Sequence, residues 1–151
     1  MYKGKDSLGL AVISKQTSKI LGKVTDIICS ANLDRLEGLL VTDKNSNEVK
    51  QCLPSQISSL GRDAILVEED NLLTYTDMEE VVLLSKLRGI HLVDGDGNEI
   101  GELVDILFEL PCQICGLEVS EGFIGDLLSG RQTISKDAVK KIGEDCILVD
   151  S

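Results

Sequence analysis

The chain has 151 residues, 42% of them hydrophobic, with 3% aromatics and no tryptophan, so any core must be built from Leu, Ile and Val in one ordinary domain or two small ones. Its net charge of -11 is uneven: residues 1–70 carry nine Lys/Arg against ten Asp/Glu, residues 71–151 six against sixteen, and so acidic a second half argues against phosphate backbones as partners. No stretch approaches the roughly 20 apolar residues of a membrane helix, and five cysteines behind an N-terminus without a secretory pattern read as free thiols in a reducing cytoplasm.

In chain order, Leu8 to Ser14 alternates loosely and reads as a strand. Ile20 to Ser30 is the next, and Gly22 within it marks a bulge or a close backbone approach, since glycine otherwise only weakens a strand. Arg35 to Thr42 and Glu48 to Leu53 follow, separated by the turn residues Asp43 to Asn47. Pro54 to Gly61 is predicted as a helical turn, capped by Ser55 and closed by a left-handed Gly61. Ala64 to Glu69 is the closing strand.

Residues 71–85 read as a segment joining two units, 6–70 and 86–150. Thr76 and Glu79 stand at capping-box spacing and predict a short helix over 77–86, while the apolar run Val81 to Leu84 suits a strand equally well. In the second unit, Gly89 to Val93, Glu99 to Glu109, Cys115 to Ser120 and Cys146 to Val149 read as strands. Ser135 to Ile142 is predicted as the counterpart of the helical turn after Pro54.

The second unit repeats the first. Leu21-Gly22-Lys23-Val24-Thr25-Asp26-Ile27-Ile28 returns as Ile100-Gly101-Glu102-Leu103-Val104-Asp105-Ile106-Leu107, a shift of 79, and Leu8 to Leu87 keeps that shift. Gly38-Leu39-Leu40-Val41 answers Gly116-Leu117-Glu118-Val119 at 78, and Gly61 to Val67 answers Gly143 to Val149 at 82. Landmarks in constant order with drifting spacing indicate a duplication with loop insertions.

This pattern resembles the PRC-barrel family. The resemblance is carried by the Gly-x-apolar-x-Asp strands at Gly22/Asp26 and Gly101/Asp105, by the Gly38 and Gly116 strands, and by Gly-x-Asp-x-Ile-x-Val at 61–67 and 143–149. It implies a mainly β fold of two tandem small barrels with short helical turns. The family includes the cytoplasmic domain of the photosynthetic reaction-centre H subunit and the C-terminal domain of a ribosome maturation factor. The resemblance therefore implies a binding or assembly platform, with no catalytic residues to carry over.

Two constellations tempt a chemical reading. Asp94, Asp96, Asn98 and Asp105 fall at calcium-loop positions one, three, five and twelve, but Glu99 stands where such a loop needs glycine, so a hairpin turn is expected. Cys112-x-x-Cys115 has metal or redox spacing but lacks a second pair or a following helix, and His91 is the only histidine. Neither metal nor cofactor is expected. Asp26 and Asp105 are expected to accept hydrogen bonds from turn amides within their own barrels.

The expected function is a non-catalytic, cytoplasmic adaptor for another protein, or for a second copy of the chain. The alternative is an RNA-processing or ribosome-maturation factor, which the missing basic and aromatic surface disfavours. The expected partner site is the longer loop 121–131, where Phe123, Ile124, Leu127 and Leu128 stand among glycines with no counterpart in the first unit.

Overall fold

The structure, a computed structural model, describes residues 1–77, 80–122 and 130–150. The first half contributes β1 (Tyr2–Lys3), the single-turn helix α1 (Gly4–Ser7), β2 (Ala11–Ser14), β3 (Ile20–Ser30), β4 (Leu36–Thr42), β5 (Val49–Cys52), a 3-10 turn at Pro54–Gln56, β6 (Ile57–Leu60), β7 (Ala64–Val67) and β8 (Leu73–Thr74). The second contributes β9 (Val81–Leu83), the single-turn helix α2 (Leu84–Leu87), β10 (His91–Val93), β11 (Glu99–Glu109), β12 (Gln113–Ser120), β13 (Gln132–Ser135), a 3-10 turn at Lys136–Ala138, β14 (Val139–Ile142) and β15 (Cys146–Val149).

The fold is mainly β, in two sheets with matching strand order. The first runs β6-β7-β2-β3-β4-β5-β8 and the second β14-β15-β10-β11-β12-β13. In each, one pair is parallel, β2 with β7 and β10 with β15. Among the described residues both sheets are open paths rather than hydrogen-bonded closed barrels.

The long strands β3 and β11 explain how the halves join. Burial along β3 alternates from Gly22 to Asp26 and is then continuous from Ile27 to Ser30. Alternation marks a strand with one covered face, and a continuous run marks cover on both faces. β2 pairs with β3 only over its first part, to Lys23. The edge this leaves open is filled from the other half, with β9 pairing Ile28, Cys29 and Ser30 of β3. Reciprocally, β1 pairs Leu107 and Phe108 of β11. Each half thus lends its leading arm to the other, and buried apolar residues of both form one continuous core. Halves this short bury little surface alone, so a shared core is the physical expectation.

Gly22 and Gly101 occupy the same place in the two sheets. Each has a positive φ, +155° and +147°, and a Cβ there would lie 2.6 Å from the Thr42 carbonyl oxygen or 2.5 Å from that of Ser120. Both glycines also flank a bulge, where Leu21 and Ile100 are the extra residues. The repeat therefore preserves a close backbone approach and a bulge together.

Several sequence expectations are corrected. Of the two readings of 77–86, the strand holds at Val81–Leu83 and the helix shrinks to one turn at Leu84–Leu87, because β9 is drawn onto the open edge of β3; residues 78 and 79 lie outside the described residues. The stretch 71–85 thus also carries β8, β9 and the start of α2. The helical turns after Pro54 and Ser135 stop after three residues; Ile57–Leu60 and Val139–Ile142 are strands, paired with β7 and β15. Gln56, not Ser55, caps the first turn by accepting the Leu53 N–H at 2.9 Å. Gly61 closes nothing in a left-handed conformation; its N–H instead donates to the Ala64 carbonyl across the next turn. Leu8 matches Arg88 rather than Leu87, since the two follow α1 and α2 as equivalent caps.

Candidate functional site

The signature aspartates sit where the halves meet. A bulge at Thr25 in β3 and another at Val104 in β11 precede Asp26 and Asp105. Asp26 accepts the N–H of Ile27 at 2.8 Å and the N–H of Ser85 at 3.1 Å on Oδ1, while the Ser85 hydroxyl donates to Oδ2. Asp105 accepts the N–H of Ile106 at 2.8 Å and that of Lys5 at 3.2 and 3.1 Å on its two oxygens. Each carboxylate therefore ties its own strand to the helical turn of the opposite half. This corrects the expectation that turn amides of the same barrel would bind them. Burial pushes the Asp105 carboxyl above its ordinary value, against the two backbone N–H groups that lower it. Gly4 is the price of the approach: a Cβ there would stand 2.7 Å from Asp105 Oδ1 and 2.9 Å from Leu84 Cδ2.

A second junction lies on the pseudo-two-fold relating the halves. The Leu36 N–H donates to the Cys112 carbonyl at 2.7 Å, the Ile114 N–H donates to the Asp34 carbonyl at 3.1 Å, and Arg35 faces Gln113 in an isolated bridge. Leu36 and Ile114 are equivalent by register, each pairing near the end of its long strand. The contact is thus self-complementary, as in a symmetric dimer. Cys112 takes part through its backbone.

The halves part company on the outer face beside β12 and β13. Glu118 is 4% exposed, yet ionic. Lys3 Nζ lies 3.0 Å from its Oε2 and Arg131 Nη1 2.9 Å from its Oε1. Burial would raise the Glu118 carboxyl, but the hydrogen bonds from Arg131 and Lys3 hold it below its ordinary value. These groups, with Met1, Lys5, Leu107 and Thr133, line an open groove of about 650 Å³. By strand register, Glu118, Lys3 and Arg131 stand where the first half has Leu40, Leu83 and Val49, all partly buried.

Gly22, Asp26, Gly101 and Asp105 thus make their observed contacts within the fold. Phe123, Ile124, Leu127 and Leu128 lie outside the described residues. Asp94 accepts the N–H groups of Asp96 and Asn98 in a hairpin turn. Cys29 and Cys52 are buried thiols pushed up to about 12 by burial, far from nucleophilic readiness. His91 Nδ1 lies 2.5 Å from Glu99. Among the described residues no three His, Cys, Asp or Glu side chains gather as a metal site.

Sequence reasoning passed over Glu118, Lys3 and Thr133, while Arg131 ends the loop 121–131 expected as the partner site without being singled out. The signal for Glu118 was present: in Gly38-Leu39-Leu40-Val41 against Gly116-Leu117-Glu118-Val119 a carboxylate replaces a leucine inside an otherwise apolar repeat. Lys3 carried none, because only the exchange of arms brings it there.

No helix among the described residues is long and apolar enough to cross a membrane. No curated protein matches the chain. The PRC-barrel domain model matches it twice, over residues 1–73 and 79–151, each match spanning one sheet and the arm it lends away. The chain belongs to the PRC-barrel domain family, as two tandem copies.

Proposed function

We propose that the protein is a non-catalytic, cytoplasmic adaptor that binds another protein through its second repeat. The observation that carries this reading is the replacement of Leu40, Leu83 and Val49 by the Glu118–Lys3–Arg131 ion cluster at equivalent positions. In a duplicated scaffold, what both copies keep serves the fold. A feature of one copy alone is released from that duty, and a solvent-facing groove with convergent charges suits recognition. The segment 121–131, with Phe123, Ile124, Leu127 and Leu128, runs in sequence into Arg131 and is proposed, on its sequence, to contribute to partner binding. Five unbonded cysteines accord with a reducing compartment.

The test is capture from lysate with the full chain, comparing wild type with Glu118→Leu and with the double variant Phe123→Ser/Leu127→Ser. Wild type should retain one protein at fixed stoichiometry, and both variants should lose it with little change in melting temperature. Retention of nucleic acid instead of protein contradicts the adaptor reading and favours the RNA-associated one. A variant that unfolds assigns its side chains to the core.

A further inference from the structure

The duplication supplies a direct comparison of two sheet edges. In the first half, β5 is covered on its outer side by β8, with Lys50 opposite Thr74 and Gln51 opposite Leu73. The pairing continues at Tyr75, whose N–H donates to the Val49 carbonyl at 3.0 Å. In the second half β13 holds the place of β5, since β4 pairs β5 as β12 pairs β13. Yet β13 ends its sheet, with no strand beyond it among the described residues. Gln132 and Thr133 are exposed, whereas their equivalents Lys50 and Gln51 are half-buried. A strand residue presents its N–H and C=O to the same side, and alternate residues face opposite sides. Val49 and Gln51 face β8, so Thr133, the equivalent of Gln51, faces outward.

We propose that this outer edge of β13 receives an extended segment of a partner protein, antiparallel, as β5 receives β8. The inference rests on the adaptor reading and names the site and the chemistry of its ligand. Added strands gain affinity from main-chain hydrogen bonds and specificity from alternate side chains.

The chain itself shows which segment such an edge accepts. β8 lies in Glu68-Glu69-Asp70-Asn71-Leu72-Leu73-Thr74-Tyr75-Thr76-Asp77, a short apolar centre between acidic flanks. Leu72 packs on the core while Leu73 pairs with Gln51. Among the described residues of the groove beside β13, Lys3, Lys5 and Arg131 stand with the carboxylate of Glu118, a setting that favours acidic flanks. A second copy is the poorer occupant, because it brings together two halves that each carry six Lys/Arg against sixteen Asp/Glu.

The probe is a synthetic peptide of residues 68–77, titrated into the full chain while amide exchange is read by NMR. Saturating peptide should slow exchange of the Thr133 amide and leave Gln51 unchanged. Thr133→Pro removes the outward N–H while sparing the bonds to β12, and proline is tolerated on an edge. It should weaken peptide binding roughly tenfold or more, the loss of a main-chain hydrogen bond in a dry contact. Thr133→Val should bind as wild type. Unchanged Thr133 exchange in the wild type overturns the proposal, whatever the variants do. Changed exchange at Gln51 alone means the peptide displaces β8, and also overturns it. Concentration-dependent protection of Thr133 without peptide assigns the edge to a second copy. Should Thr133→Pro capture the lysate partner as well as wild type does, the edge proposal fails while the adaptor reading stands. A wild-type chain that captures no protein removes the adaptor reading.

Discussion

The two halves of this molecule are the same scaffold put to different use. Both keep the bulged long strand, the glycine pressed against a neighbouring carbonyl, and the aspartate that reaches into the opposite half. They diverge at the face beside β5 and β13, where one half is apolar and covered by β8 and the other is ionic and, among the described residues, without a further strand. The shared features are those a small open sheet needs in order to fold against its twin. The differences lie where folding makes no demand, and function is therefore sought there.

Substitutions at equivalent positions can break or sharpen this comparison. The largest effect is expected at Phe108, fully buried and stacked on Tyr2 with ring centroids 5.7 Å apart. Phe108→Ala should cost about 3–5 kcal/mol in denaturant unfolding, while Ala at its equivalent Cys29 should cost less than half as much. Equal losses would mean the halves are packed alike at this point.

Asp26→Ala and Asp105→Ala should each cost about 1–3 kcal/mol, since each strands backbone N–H groups of both halves. Because both carboxylates link the two halves, each variant should lower one cooperative transition. Separate melting of one half would contradict the interlocked core. The pH dependence has opposite signs at two carboxyls. The Asp105 carboxyl is raised in the folded state, so the fold binds its proton more tightly than the unfolded chain does. Its contribution is fully present below the ordinary aspartate value of 3.8 and is lost as pH rises through the raised folded value. The Glu118 carboxyl is lowered, so its contribution is present above the ordinary value of 4.5 and lost as pH falls through the folded value. Asp105→Asn should remove the first slope and Glu118→Gln the second, as measured by unfolding across the acid range.

Gly22→Ala and Gly101→Ala should destabilise by similar amounts, more than about 1 kcal/mol each, because the added methyl meets a carbonyl oxygen at a positive φ. Markedly unequal losses would mean the two bulges do not superpose. The smallest effect is expected from Thr133→Pro, within about 0.5 kcal/mol of wild type as for a surface site. Gln51→Pro should cost well more, because β8 occupies that edge.

Much of the fold was legible in the sequence. The spans Ile20–Ser30, Glu99–Glu109 and Cys146–Val149 match the observed strands end to end, because their apolar pattern and the turn residues around them are local in sequence. What was not legible depended on partners distant in sequence. The choice between strand and helix at Val81–Leu83 is decided by the edge that β3 leaves open, and Tyr2–Lys3 is a strand because β11 leaves one too. The roles of Asp26 and Asp105 were read as local for the same reason: their donors, Ser85 and Lys5, lie 59 and 100 residues away. At the candidate site, Glu118 could have been found by aligning the repeat, whereas Lys3 and Thr133 required the register of the sheets. The expected partner residues Phe123, Ile124, Leu127 and Leu128 rest on sequence alone.

One scaffold occurs twice, with an edge covered by β8 in the first copy and, among the described residues, open in the second. Amide exchange of the free, full-length protein at Gln51 and Thr133 tests it most directly. Gln51 should be protected by its pairing with Leu73, and Thr133 should exchange orders of magnitude faster, near the rate of an unstructured amide. Equal protection at the two positions would contradict the account.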